Sequence, residues 1–367
     1  MNILVYNPTS QFAIYISSVA IELNKKHHVV LLTQSEKGEM HSDVEKYGLQ
    51  SFGFESNSKN TIVNLYKQLR FLLSFIKQNK IEVVISHNHP CNFVSVFAQM
   101  FCKARFILCR HHTDIVALGS NRNAKAMDSI INFLGKEFIV PSDKTINQMV
   151  NVEGVLRSKI YKIPYAYNFN DYPPINNLTE IELREKLNNS IVLITVGRLI
   201  EGKRIEELVK EFALWNKENG KLKLLVLGDG PNKRKIEELI ELYNQSNNVF
   251  LLGRKQNILD YINASDLVIH ISESETSCSV TKEAGICRKP VIVCDDVGDF
   301  NEYISHNKNG LVVPKYNYSN ELKTIISAFC ANKEQFKYLG NNLHDDVYKK
   351  FSIENIINQY YNLLNRK

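Results

Sequence analysis

The sequence has no run of about 18 apolar residues, so no transmembrane helix is expected. Residues 3–21 are fairly apolar, but Asn7, Pro8, Thr9, Ser10 and Gln11 interrupt them. The positive charges Lys25 and Lys26 follow that stretch instead of preceding it, so no signal peptide is expected. The seven cysteines are scattered and never form C-x2-C. That spacing argues against a zinc ribbon and against a disulfide framework, and it suits a reducing compartment. Repeats and low-complexity tracts are missing, beyond a bias to Asn, Lys and Ile. The turn Gly228-Asp229-Gly230-Pro231 falls short of G-x-G-x-x-G, because Lys233 stands where the third glycine belongs. A nicotinamide-binding reading therefore has little support.

What is present fits a two-domain globular chain. The 367 residues exceed a typical single domain, and 44% hydrophobic and 23% charged residues are ordinary. The net charge of +6 is uneven: residues 1–170 carry +7 and the remainder −1. A basic half suits an anionic substrate, an anionic lipid surface or nucleic acid. No aromatic-interleaved basic motif supports nucleic acid, which is not expected as a partner. The stretch Lys59–Lys80 is basic and amphipathic. Ile62, Leu65, Leu69, Leu72, Leu73 and Ile76 form its stripe, and Lys59, Lys67, Arg70, Lys77 and Lys80 are its only charges. It is read as a helix covering a sheet, with peripheral contact to an anionic membrane as the alternative.

Apolar strands alternate with helical periods along the whole chain, which implies parallel, doubly wound sheets. Asn2–Tyr6, Val29–Thr33, Ile81–Ser86, Phe106–Arg110, Glu137–Pro141 and Lys159–Pro164 are strands of the first half. Ligands meet such sheets at the carboxyl ends of the strands. That edge carries Thr9, Ser10 and Gln11 after the first strand, His87 and His89 after the third, and His111 and His112 after the fourth. The His87-x-His89 pair has no cysteine or carboxylate close by in sequence, so it is read as cleft lining and not as a metal site. Residues 171–189, polar and with Pro173-Pro174, are the linker candidate.

The second half holds the most informative stretch, Ser272–Pro290, with Glu275 and Glu283 in an E-x7-E spacing. An apolar strand, Asp266–Ile271, precedes it. Glu275 then falls in a loop at a strand end and Glu283 about two turns inside the next helix. Paired carboxylates suit paired hydroxyls, and a helix N-terminus between them suits phosphate. Upstream lie Val196-Gly197-Arg198 with Lys203, and the Gly228–Pro231 turn; Gly298 and Glu302 lie downstream. Cys278 has no histidine placed as an obvious base and is not read as a nucleophile.

Together these elements resemble the retaining glycosyltransferases of family 4. The pairs Gly197-Arg198 with Lys203, Glu275 with Glu283, and Gly298 with Glu302 are similar to that family's G-R-x4-K, E-x7-E and G-x3-E elements. The resemblance implies an α/β GT-B fold, with two Rossmann-like domains facing across a cleft and a C-terminal helix crossing back to the first. The implied boundaries are 1–170 for the acceptor domain, 171–189 for the linker, 190–350 for the nucleotide-sugar domain and 351–367 for the returning helix. It implies transfer of a sugar, with retention, from a nucleotide-diphosphate donor, UDP first among the bases, to a glycan or lipid-linked hydroxyl in envelope polysaccharide, lipopolysaccharide or capsule assembly.

By the same resemblance, Arg198 and Lys203 hold the diphosphate, Glu283 the ribose, and Glu275 the donor sugar. Gly197, Gly228, Gly230 and Arg254 join the donor site, with Arg254 near the base. One of His111 and His112 faces the reacting sugar. Thr276, Ser277, Cys278 and Ser279 stand where the family often has glycines, so the donor sugar is not fixed by habit. The loop Asn7–Gln11 lacks the family's glycines, which favours acceptor binding over donor contact. No Asp-x-Asp triplet occurs, so no metal and no cofactor is expected, and the cytoplasm, at the inner membrane face, is the expected location. A catalytically silent GT-B partner and a nucleotide-sugar 2-epimerase are the alternatives.

Overall fold

The computed structural model describes residues 1–56, 60–113, 122–188 and 190–366. The chain divides into two compact units. Unit 1 takes most of residues 1–171 together with Phe351–Lys367, and unit 2 runs through Tyr172–Lys350.

Unit 1 is built on seven parallel strands: β1 (Asn2–Asn7), β2 (His28–Thr33), β3 (Gln50–Gly53), β4 (Val83–His87), β5 (Arg105–Cys109), β6 (Phe138–Val140) and β7 (Ile160–Lys162). Their order is β3-β2-β1-β4-β5-β6-β7, so the direction of winding reverses between β1 and β4. β1 and β4 are apolar almost without alternation, because helices cover both faces of the sheet. Ile3, Val5, Ile85 and Ile107 face one core, and Leu4, Val30, Leu32 and Val84 the other. The helix Thr61–Gln78 covers the second face through Leu72, Phe75 and Ile76, with Leu65, Leu69 and Leu73 half-buried. Asn60 caps it by accepting from the amides of Ile62 and Val63. Lys67, Arg70, Lys77 and Lys80 remain exposed. Ile62, expected on the packed stripe, is 79% exposed. Lys59 lies outside the described residues.

The first unit is completed by the end of the chain. The helix Ile353–Leu364 lays Ile353, Ile356, Ile357, Tyr360, Leu363 and Leu364 against Ile16, Val19, Ala20 and Leu23 of the helix Ile14–Asn24. Backbone bonds from Tyr167 to Phe351 and from Ile353 to Tyr167 fix its entry. The returning helix of the expected fold is therefore present.

Unit 2 has six parallel strands: β8 (Ile191–Val196), β9 (Leu222–Leu227), β10 (Val249–Gly253), β11 (Leu267–His270), β12 (Val291–Cys294) and β13 (Leu311–Val313). Their order, β10-β9-β8-β11-β12-β13, reverses between β8 and β11. Residues 171–189, expected as a linker, contain the helix Asn177–Lys186, docked on unit 2. None of its side chains is fully buried. Its docking is polar: Arg184 makes a bidentate pair with Asp266 at 2.9 Å, and Asn263 donates to Glu180 at 2.7 Å. A helix held by ion pairs has no apolar period, so its composition reads as loop. Asn189 lies outside the described residues.

Ile357→Ala removes buried methyl groups from the seam between the last helix and Ile14–Asn24. It should destabilise unit 1 by about 2–4 kcal/mol, read by urea denaturation, with amide exchange in Ile14–Asn24 accelerated. Unchanged stability would mean that the returning helix is not part of the unit 1 core.

Candidate active site

In each unit the polar residues singled out in the sequence collect near the carboxyl ends of the strands on either side of the winding reversal, where open α/β sheets bind ligands. In unit 2 that edge is built from three loops. The first follows β8 and carries Gly197, Arg198 and Lys203. The second follows β11 and carries Glu275 to Ser279. The third follows β12 and carries Gly298 and Asp299.

These loops meet at Glu275. Lys203 Nζ donates to its Oε1, and His270 Nε2 lies 2.6 Å from the same oxygen. Behind it, Gly298 adopts a left-handed φ of +54°, and a Cβ there would come within 2.8 Å of the Glu275 Cβ. Ser272 Oγ and the Glu273 amide both donate to the Gly202 carbonyl, tying the first loop to the second. Burial alone would raise the Glu275 carboxyl, but Lys203 and His270 outweigh it and hold it well below the usual carboxylate range. Burial would likewise lower His270, yet Cys278 and Glu275 raise it to about 9. The group is thus a carboxylate between an ammonium and an imidazolium.

Cys278 Sγ lies 3.4 Å from His270 Nε2. The sequence offered no obvious base for Cys278, and the structure corrects that: the base-type neighbour is His270, eight residues earlier. Nε2 is already committed to Glu275, so no free imidazole nitrogen is directed at the thiol. His270 was missed because it ends an otherwise apolar strand. One imidazole closing a buried strand was the available signal.

Glu283 sits differently. It lies on the helix Ser279–Ile286, is buried, and its Oε2 has no hydrogen-bond partner among the described residues. Burial lifts its carboxyl to about 7, with Ser279 and Lys282 pulling the other way. Beside it, Lys282 is wholly buried and donates to Asp299 Oδ2 at 2.7 Å and to Ser277 Oγ at 3.0 Å, while Ser277 Oγ donates to Asp299 at 2.6 Å. This second pair locks the loop after β11 to the loop after β12. Neither Lys282 nor Asp299 stood out in the sequence, since a lysine facing inward on a short helix has no pattern to mark it. Thr276 is buried and Ser279 half-buried on the same loop.

Arg198 and Arg254 are exposed at the ends of β8 and β10. The glycines nearby serve the backbone. A Cβ on Gly228, whose φ is +138°, would strike the Gly197 carbonyl at 1.8 Å, and one on Gly230 would meet Leu199 at 2.5 Å. The Gly228–Pro231 turn therefore packs on the turn after β8, with Leu199 donating to the Asp229 carbonyl at 3.0 Å. That close approach, rather than an approach to a ligand, is what the structure shows these glycines permitting.

In unit 1 the histidines divide into two networks. His87 Nδ1 lies 3.0 Å from His111 Nε2, and His111 Nδ1 lies 2.6 Å from the Tyr165 hydroxyl, whose ring stacks on Tyr15 at 4.1 Å. Burial lowers His87 to about 3 and His111 well below its usual value, so both are neutral. A neutral imidazole has one donor and one acceptor, so this is a single directional chain. His89 and His112 instead share Asp128, at 3.3 and 2.7 Å, and Asp128 also faces Arg110. His112 is held by a carboxylate, while His111 joins the strand-end histidine His87. Thr9 and Gln11 are exposed, whereas the Ser10 side chain packs against Gly38 and its carbonyl accepts from the Met40 amide.

Among the described residues, one group has three different ligand types converging: His270, Glu275 and Cys278, with their ligand atoms within 4.8 Å of one another. His87 and His89, despite their spacing, face separate partners.

Both units are similar to known proteins. The family described as Glycosyltransferase Family 4 matches residues 13–170, and Glycosyl transferases group 1 matches residues 179–345. A poly(ribitol-phosphate) alpha-N-acetylglucosaminyltransferase of Staphylococcus aureus is 24% identical over 315 residues, which is 84% of this chain and 60% of that protein. An N-acetyl-alpha-D-glucosaminyl L-malate synthase of Bacillus anthracis is 26% identical over 261 residues, 70% of this chain and 67% of that protein. The chain thus spans well under the full length of the staphylococcal relative. The crystal structure of HepE of Anabaena in complex with UDP-glucose superposes with a TM-score of 0.84 at 17% identity, covering 99% of both chains. The two parallel sheets and this likeness show a two-domain α/β GT-B fold.

Lys282→Met strands Asp299 in a buried site and should destabilise the protein by about 3–5 kcal/mol. Adding Asp299→Leu should recover most of that loss. Thermal or urea unfolding of the two variants decides it: a double variant no more stable than the single would mean that the pair does not act as a unit.

Proposed function

The chain belongs to the GT-B glycosyltransferases of family 4 type, and from that premise we propose that it moves a sugar from a UDP-sugar to a hydroxyl of a glycan or lipid-linked acceptor, with retention and without a metal. The observation that carries the reading is the buried, half-satisfied carboxylate of Glu283 on the helix that follows Glu275. A buried oxygen without a partner is costly in a protein alone. A pair of ribose hydroxyls donating to it removes that cost. Glu275, fixed by Lys203 and His270, then receives the hydroxyls of the donor sugar.

In the transfer step the bond between the sugar C1 and the diphosphate oxygen breaks, and its electron pair leaves with UDP. The acceptor oxygen forms the new bond to C1 on the same face, and its proton passes to the departing diphosphate. Charge thus grows on the diphosphate. Arg198, exposed as a fork, and Lys203, whose ammonium has three donors, stabilise it there. The UDP preference is supported by the ligand of the Anabaena structure. On the acceptor side Thr9, Gln11, His87 and His111 are the proposed contacts.

The charge of +7 on residues 1–170 suits an anionic or lipid-linked acceptor. The staphylococcal relative is named for a poly(ribitol-phosphate) substrate. We assign the chain to envelope polysaccharide assembly in the cytoplasm, with the exposed Lys67, Arg70, Lys77 and Lys80 resting on anionic lipid. No helix among the described residues is long and apolar enough to cross a membrane.

A thermal-shift panel of UDP-, GDP- and ADP-sugars without metal tests the donor site. A UDP-sugar should raise the melting temperature of the wild type and leave Glu283→Ala unmoved. No shift from any nucleotide sugar would replace the transferase by a silent GT-B partner.

The pH dependence follows from Glu283. Ribose hydroxyls bind its ionised form, and its carboxyl sits at about 7 in the free protein. Affinity for a UDP-sugar should therefore fall as pH drops below 7, approaching about tenfold per unit. Titration calorimetry between mildly acidic and mildly alkaline pH should show this slope in the wild type and a flat profile in Glu283→Gln. A slope retained in that variant would remove Glu283 from nucleotide binding.

A further inference from the structure

We propose that His270, Glu275 and Cys278 form a binding site for a thiophilic divalent cation, zinc above all, and that loading it closes the donor site. The three side chains offer one nitrogen, one oxygen and one sulfur. His270 Nε2 is 2.6 Å from Glu275 Oε1 and 3.4 Å from Cys278 Sγ, and all three ligand atoms lie within 4.8 Å of one another. Tetrahedral zinc holds N and O ligands at about 2.0–2.2 Å and sulfur at about 2.3 Å. Ligand atoms around such an ion stand roughly 3.3–3.8 Å apart, so movements of about 1 Å bring the three into place.

The frame for these ligands is already rigid. His270 ends a central strand, and the Phe300 ring stands edge-on to it at 5.9 Å. Cys278 is the N-cap residue of the helix Ser279–Ile286. Gly298 backs Glu275 closely. The cluster offers three ligand atoms, and Lys203 Nζ also reaches Glu275 Oε1. Three protein ligands with one open position is the arrangement of exchangeable zinc sites, and a sulfur ligand selects zinc or cobalt over magnesium or calcium.

The metal takes the place of the proton shared between Nε2 and Oε1. The thiol proton and that imidazolium proton leave to solvent, and the Lys203 ammonium is displaced from Oε1. Glu275 and Lys203 are the groups assigned above to the donor sugar and diphosphate. Cation and donor therefore compete. This last step rests on the proposed transferase reading, whereas the metal site does not.

The experiment separates the two. The full chain, stripped with chelator, is titrated with Co2+ and followed in the near ultraviolet. One equivalent should produce a thiolate-to-cobalt charge-transfer band that zinc abolishes. The band should be lost in Cys278→Ser and weakened in His270→Gln, both checked for native unfolding curves. No band in the wild type, or a band that persists in Cys278→Ser, overturns the site, because the other six cysteines would then be the source. In a second arm, zinc should weaken UDP-sugar binding to the wild type by about tenfold or more, and leave the ratio of affinities near one in Cys278→Ser. Equal donor affinity with and without zinc in a cobalt-binding wild type overturns the closure. Cobalt binding in a protein that binds no nucleotide sugar supports the metal site and sinks the transferase reading.

Discussion

Glu275 receives Lys203 and His270 on one carboxylate oxygen, and Gly298 leaves no room behind its Cβ. Each of these residues belongs to a different connection: Lys203 follows β8, His270 ends β11, and Gly298 follows β12. A half-buried carboxylate with two cationic partners is strongly bound to its place, since removing either would strand charge in a poorly solvated site. The three connections at this edge of unit 2 are consequently positioned by electrostatics more than by apolar packing. The Lys282–Asp299 pair repeats the device one helical turn further on, with Ser277 as the third member. Between the two clusters the segment from Glu275 to Ser279 has little freedom, although it contains no regular structure until the helix starts.

Unit 1 solves the same problem with neutral groups. His87 and His111 lie deep enough that burial keeps both uncharged, so order comes from a relay of single hydrogen bonds that runs on to Tyr165. Reversing one link requires reversing the others, which gives the chain two states only. The charged network is kept one residue away, where Asp128 gathers His89, His112 and Arg110, and Glu153 takes the other face of the guanidinium in a bidentate pair. Consecutive histidines thus have opposite jobs. Both lie just past the end of β5, and their side chains alternate between the two networks.

That alternation also marks what was legible beforehand. The succession of strands and helices and the carboxyl-edge location of Glu275, Lys203, His87 and His111 follow from apolar runs and the polar residues that end them, while the reversal points needed the sheet order itself. The helix Ile353–Leu364 was readable from its isoleucine spacing, and its return to unit 1 only from the family resemblance. Residues 171–189 read as a linker because the helix inside them docks through Arg184 and Glu180. His270, Asp128, Lys282 and Asp299 stayed hidden for a shared reason: each is a polar group buried against a partner remote in sequence, and periodicity reports burial of apolar residues alone. The glycines at 228 and 230 were found, but their purpose, letting two strand-end turns touch, needs the neighbouring turn to be seen.

Glu283 completes the argument, because it breaks the rule that the rest of the edge obeys. Glu275, Asp299 and Asp128 each make an ion pair with a basic side chain, whereas Glu283 makes none among the described residues; one of its oxygens, like Asp299 Oδ1, is unsatisfied, and its carboxyl is lifted to about 7. Between the ordinary carboxylate range and 7 the folded chain holds a proton there that the unfolded chain has released. Its contribution to folding is therefore full at low pH and lost as pH rises through 7. A group tuned only for stability would have been paired or replaced by an apolar residue. Leaving it bare gives up stability in the protein alone, and under the proposed donor-site reading a hydroxylic ligand would recover it, so that binding and order at this edge rise together.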